Sequence, residues 1–131
     1  MRLTSILFLS LLAAVRGHCG EVPRVDGYIN GQPVRFIVDT GASEIVIPQA
    51  LAQRLGIAYR HGELARYETA GGPVDGYRIV LQSIKVSNVE ALGVTAHVPA
   101  TDNGPQEALL GMSFLKNITM TLHSGTVSFS P

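Results

Sequence analysis

The chain has 131 residues, with ten basic and ten acidic side chains, four histidines and one cysteine. After an N-terminal segment of targeting type, roughly 110 residues remain, enough for one domain with one core and too few for two. The balanced charge, with no basic run and no aromatic-rich strand motif, gives no support to nucleic-acid binding. His18, His61, His97 and His123 are scattered, none at helical spacing from another His or Cys, so a His/Cys metal site is not expected, nor is a cofactor. All four histidines read as surface or loop residues.

Residues 1–20, "MRLTSILFLSLLAAVRGHCG", open with Arg2 and an apolar run from Leu3 to Val15. The run is shorter than the ~20 residues that span a bilayer. It fits a secretory signal, with a short membrane anchor as the competing reading. Either one sends the domain, residues 21–131, past a membrane to a periplasmic or secreted location, with membrane association if the segment stays attached. Cleavage after Gly17 would leave Cys19 as a lone thiol, so no internal disulfide is expected.

"VDGYINGQPVRFIVDTG" predicts a hairpin, Val25–Ile29 and Val34–Val38, turning at Asn30-Gly31. "IPQALAQRLGI" predicts a short helix, with Pro48 in its first turn, Leu51 and Leu55 on one face and Gly56 as its stop. Strand-like runs follow near Ala65–Thr69, Asp75–Val86 and Ala91–Val98, then a polar loop from Thr101 to Glu107. "ALLGMSFLKN" is an apolar run leading into a second short helix, and "ITMTLHSGTVSFSP" a hairpin turning at Ser124-Gly125. The class is all-β with two short helices, a small closed or partly closed barrel.

One acid stands where the pattern predicts core. In "RFIVDTGASEIVIP", Asp39 lies between the β-branched runs Phe36–Val38 and Ile45–Ile47. An ionised carboxylate there loses hydration and needs something in return. Gly41 allows a sharp turn, Thr40 offers a hydroxyl, and Ala42 and Ser43 are small enough to leave room for a ligand or a second chain. The tripeptide alone is equally compatible with an Asp that merely caps its own turn.

A second segment bears on the choice. About 70 residues downstream, Leu109 and Leu110 end a strand and Gly111 leads into a helix. A strand ending in Asp-Thr-Gly, joined later by two apolar residues and Gly before a helix, resembles the retropepsin-like (clan AA) aspartic proteases, in particular their small single-lobed bacterial type. The resemblance runs from Tyr28 through Phe129 and implies a single-lobe acid protease barrel. It also implies that Asp39, Thr40 and Gly41 are catalytic. Two such loops face each other in that family, and their carboxylates share a proton because like charges so close cannot both ionise. One acts as base on a water while the other protonates the peptide carbonyl oxygen.

This chain has a single Asp-Thr-Gly. Asp75 and Asp102 lack the apolar lead-in and the Thr, and read as turns. The resemblance therefore implies a homodimer with one Asp39 from each subunit, and Thr40 bridging the two loops. It implies a peptide or protein substrate contacted by Ala42, Ser43 and a flap tipped by Gly71-Gly72, bracketed by Tyr67 and Tyr77. Glu44, five residues after Asp39, reads as solvent-facing. The activity implied is that of an aspartic endopeptidase. The alternative is a non-enzymatic exported β module that binds peptides or dimerises.

Overall fold

The computed structural model describes residues 22–102, 104 and 106–131. The expected signal or anchor, with His18 and Cys19, lies outside the described residues.

Among the described residues, nine strands and two short helices follow in order: β1 Arg24–Ile29, β2 Gln32–Val38, β3 Ile45–Val46, α1 Gln49–Arg54, β4 Glu63–Thr69, β5 Gly72–Val86, β6 Val89–Pro99, β7 Ala108–Leu110, α2 Met112–Leu115, β8 Thr119–His123 and β9 Thr126–Ser130. Both predicted hairpin turns form as expected. Asn30 and Gly31 take φ of 50° and 80°, Ser124 and Gly125 49° and 79°, the left-handed pairs that match the twist of a two-residue hairpin. Helix α1 stops where Gly56 turns left-handed. The Gly56 N–H reaches Gln53 O and the Ile57 N–H reaches Ala52 O, closing the last carbonyls.

Six strands close into a barrel in the order β1-β2-β7-β3-β6-β5, with β5 pairing back to β1. Strand β4 continues the sheet beyond this ring, its only ladder being with the first half of β5. The decisive pairing is non-local. Strand β7 runs parallel to β2 (Val38 opposite Leu110) and antiparallel to β3 (Val46 opposite Leu109), so it is inserted between two strands adjacent in sequence. The chain leaving β2 must cross the end of β7 to reach β3. That crossing is the segment 39–44.

These central strands bury both faces, which is why they read as continuous apolar runs. Phe36, Val38, Ile45, Ala108 and Leu110 face the barrel core, while Ile37, Val46 and Leu109 point the other way into a second cluster with Ala42, Tyr67 and Val74. Burying a side chain of this size contributes about 1.5–3 kcal/mol. The alternation fixes two compartments, the inner core and an outer apolar floor.

The crossing is tight at Gly111. A methyl group there would overlap the Glu44 carbonyl oxygen and come within 2.8 Å of Ala42 O. Both neighbours are backbone, so nothing can swing aside. Gly111→Ala is expected to destabilise the fold by about 3 kcal/mol or more, from overpacking against atoms that cannot relax. Thermal unfolding would report a midpoint lowered by roughly 10 °C or more. An unchanged midpoint would mean that the loop does not cross β7 as described.

Candidate active site

Asp39 is the first residue beyond β2 and keeps its ladder for one more step, its N–H donating to Leu110 O at 3.1 Å. The chain then turns. The Gly41 N–H donates to Asp39 Oδ1 at 2.9 Å and the Ala42 N–H to Asp39 O at 3.3 Å. Turn capping by the side chain is therefore real. It occupies one acceptor site on a carboxylate that has about four. The Met112 N–H donates to Ala42 O at 2.9 Å, tying the far side of the loop to the start of α2. Asp39 is thus fixed from both sides by β7 and the turn that follows it.

Half-buried Asp39 borders a cleft of about 520 Å³, whose apolar lining comes from Ile37, Val46, Tyr67, Val74 and Leu109. The β4–β5 hairpin covers it. Its two-residue turn is Ala70-Gly71, and Gly72, with φ of 110°, already opens β5, so the tip sits one residue earlier than the Gly71-Gly72 expected. Thr69 Oγ1 accepts from the Gly71 N–H and donates to Gly72 O at 2.7 Å, which stiffens the tip. Gly71 lines the cleft together with Thr69 and Ala70.

The hairpin is seated on the Asp39 loop. The Ser43 N–H donates to Glu68 O at 3.0 Å, and the Glu68 N–H donates to Ser43 Oγ at 3.1 Å. A methyl group on Gly41 would lie 3.3 Å from the Ala70 methyl. Of the residues expected at the site, the structure brings together Asp39, Gly41, Ala42, Ser43 and Gly71, with Thr40 half-buried between Asp39 and Gly41.

Other expectations need correction. Asp75 is not in a turn: it lies within β5, with its carboxylate 3.1 Å from Arg66 Nε across the hairpin. Asp102 does lie in a turn. Glu44 is half-buried rather than fully solvent-facing, because its backbone is wedged against Gly111. Tyr67 walls the cleft, whereas Tyr77 packs on the barrel core against Tyr59, ring centroids 5.6 Å apart. His61 and His123 are exposed, but His97 is neither surface nor loop: it is buried in β6, opposite Val46. Burial, and then the Arg78 charge, hold its imidazole below the ordinary histidine value. Burial pushes the Tyr67 phenol up to about 12.

Sequence reasoning also missed Ser113. Its hydroxyl accepts from the Ile45 N–H and donates to Thr95 O, both at 2.9 Å, pinning the exit of the loop to β6. A lone Ser inside "GMSFL" gives no signal of this. Among the described residues, no group of three His, Cys, Asp or Glu side chains could hold a metal ion.

Comparison with known proteins places this geometry. Residues 25–117 match the family model described as "gag-polyprotein putative aspartyl protease". The chain belongs to the retropepsin-like aspartic protease family. Its fold is similar to the crystal structure of a retropepsin-like aspartic protease from Rickettsia conorii (TM-score 0.61, 25% identity, 82% of this chain and 83% of that one). It is also similar in fold to the EIAV protease complexed with the inhibitor HBY-793 (TM-score 0.60, 23% identity, 76% and 90%). An uncharacterised protein of Sinorhizobium sp. is 30% identical over 81% of this chain and 44% of its own length. One of Rickettsia prowazekii is 33% identical over 70% and 39%. The chain spans less than half the length of these curated relatives. Family and fold together support protease function for this retropepsin-like chain.

The hairpin seat is directly testable. Ser43→Ala removes the acceptor of the Glu68 N–H and leaves the backbone bond from Ser43 to Glu68 in place. Losing one such bond, about 1 kcal/mol, is expected to speed amide exchange along 68–72 roughly fivefold. Unchanged exchange there would show that the seat is not what holds the hairpin down.

Proposed function

We propose that this chain is an aspartic endopeptidase acting as a homodimer, with Asp39 of each subunit meeting on a two-fold axis. The observation that carries the reading is the setting of Asp39: a carboxylate with one oxygen held by Gly41, at the edge of an apolar cleft lined on its other side by the β4–β5 hairpin. A single carboxylate is a weak base toward water. Two of them sharing one proton provide both the base and the acid.

In the proposed reaction, one Asp39 takes a proton from a water held between the carboxylates. The water oxygen attacks the peptide carbonyl carbon, and the other Asp39 gives its proton to the carbonyl oxygen. The tetrahedral intermediate collapses when the amine receives a proton and the C–N bond breaks. Thr40 would join the two loops through its hydroxyl. Ser43 would contact the peptide from below, with the backbone at Gly71 and Gly72 above it; Ala42, expected at the substrate, is fully buried with both backbone groups paired and would support the loop instead. The apolar lining suits a substrate segment with apolar side chains. Residues 1–20 would serve export or anchoring.

Asp39→Asn is expected to leave fold and dimer intact and to abolish cleavage of a mixed peptide library. A statine-type inhibitor, which mimics the tetrahedral intermediate, should block the unsubstituted protein. Light scattering and the cleavage assay on the same sample provide the check. A stable monomer that cuts nothing would favour the non-enzymatic peptide-binding module instead.

A further inference from the structure

His97 is the only buried polar or charged residue among those described. It is 2% exposed, and neither Nδ1 nor Nε2 has a hydrogen-bond partner. A neutral imidazole carries one donor and one acceptor, and burying both unmet is unfavourable. What the ring does have is a stacking partner. Tyr67 lies against it, centroids 4.7 Å apart and planes tilted by 32°.

Tyr67 reaches that place through a slot left by Gly76, where a methyl group would come within 2.8 Å of the Tyr67 Cε1 atom. Tyr67 itself walls the cleft that Asp39 borders. His97 and Tyr67 form a row that ends at the cleft, and Tyr67 belongs to β4, the strand of the covering hairpin whose only ladder is with β5.

The groups around His97 make its charge state matter. Strand β5 presents Arg78, directly across the ladder, and β4 presents the neutral Tyr67 phenol. Strand β3 presents Val46, which carries no charge. Among the described residues, Arg78 is the charge that adds to burial in disfavouring the protonated imidazole. Protonation would put a second cation beside Arg78, with two N–H donors and no acceptor. Attraction between a cation and the Tyr67 ring face works the other way, but the lost hydration of a buried imidazolium is the larger effect.

We propose that His97 is a positioning residue for the cleft: uncharged, it props the Tyr67 ring as the cleft wall, and protonated, it releases that ring and loosens the β4–β5 hairpin. As a statement about substrate, this rests on the peptidase reading; as a statement about the Tyr67 ring, it does not. The sign follows from the burial and the Arg78 charge that lower the His97 value. Above about 6.5, both folded and unfolded chains hold it neutral and the wall is intact; the stabilisation is lost as pH falls toward the lower folded value. The device therefore limits the cleft on the acid side.

The test follows His97 and Tyr67 ring resonances by NMR in the full chain, from about pH 7.5 to about 4.5. The comparison is His97→Phe, which keeps a flat ring and cannot titrate, with His97→Leu as the second variant should Phe not fold. The expected result is that Tyr67 moves with the His97 titration, below 6.5, and stays put in the variant. In parallel, KM for an apolar peptide should rise several-fold at acid pH with the same midpoint, and stay flat in the variant, while both share one kcat profile. A Tyr67 ring indifferent to His97 protonation, or a His97 that titrates at or above 6.5, overturns the proposal. A protein that cuts no peptide at any pH sinks the peptidase reading alone, since the ring measurement still decides the role of His97.

Discussion

Everything near Asp39 depends on one backbone crossing. The loop 39–44 passes over the end of β7 so closely that Gly111 has no room for a methyl group against Glu44 and Ala42. Because β7 lies between β2 and β3, the carboxylate cannot drift along its own strand. The bond from Asp39 N–H to Leu110 O fixes one side, and that from Met112 N–H to Ala42 O the other. A turn held by its own residues would fray; this one is clamped by a strand about 70 residues away. Precision at a site comes from such support, and here backbone supplies nearly all of it.

The same crossing explains how a carboxylate can stand among apolar runs. Strands β2, β3 and β7 send alternate residues to the inner core and to the outer floor, so the apolar run is two half-surfaces read in one line. Asp39 follows Val38, an inner residue, and by alternation turns to the outer side, at the mouth of the cleft. It is half-buried, beside apolar atoms but in reach of water or a ligand. The apparent conflict between greasy flanks and a carboxyl group is resolved by direction.

How much of this could be read from the chain itself varies by range of interaction. The hairpin turns at Asn30-Gly31 and Ser124-Gly125, the stop of α1 at Gly56 and the long strands were legible, because their causes lie within a few residues. The insertion of β7 between β2 and β3 was not, since no local pattern states which apolar run pairs with which; the motif pair around Asp39 and Gly111 pointed there only by resemblance. Ser113 was invisible because a single hydroxyl meets its partners, Ile45 and Thr95, only after folding. His97 misled for a related reason. A polar residue between Ala96 and Val98 fits an outward position of a half-exposed strand, and only the return of β4 with Tyr67 covers it. Asp75-Gly76 read as a turn although it lies mid-strand, since Gly76 is there to admit the Tyr67 ring rather than to bend the chain.

The covering hairpin holds a balance that neither rigid closure nor free motion would give. Its seat on the loop includes two short hydrogen bonds, between Ser43 and Glu68, each worth about 1 kcal/mol net in water. On the proposed peptidase reading, an extended peptide entering between them would offer the same kinds of group, an N–H to Glu68 O or a C=O to the Ser43 N–H. Exchanging one set for the other is close to neutral in free energy. What the peptide would add is the burial of its apolar side chains against Ile37, Val46, Leu109 and Tyr67, at about 25 cal/mol per Å². On that reading backbone pairing would admit any extended chain, and the apolar floor would decide which one stays. Discrimination then falls on the residues that shape the floor, and Tyr67, the largest of them, is held in place by a single histidine stack and a missing side chain at Gly76.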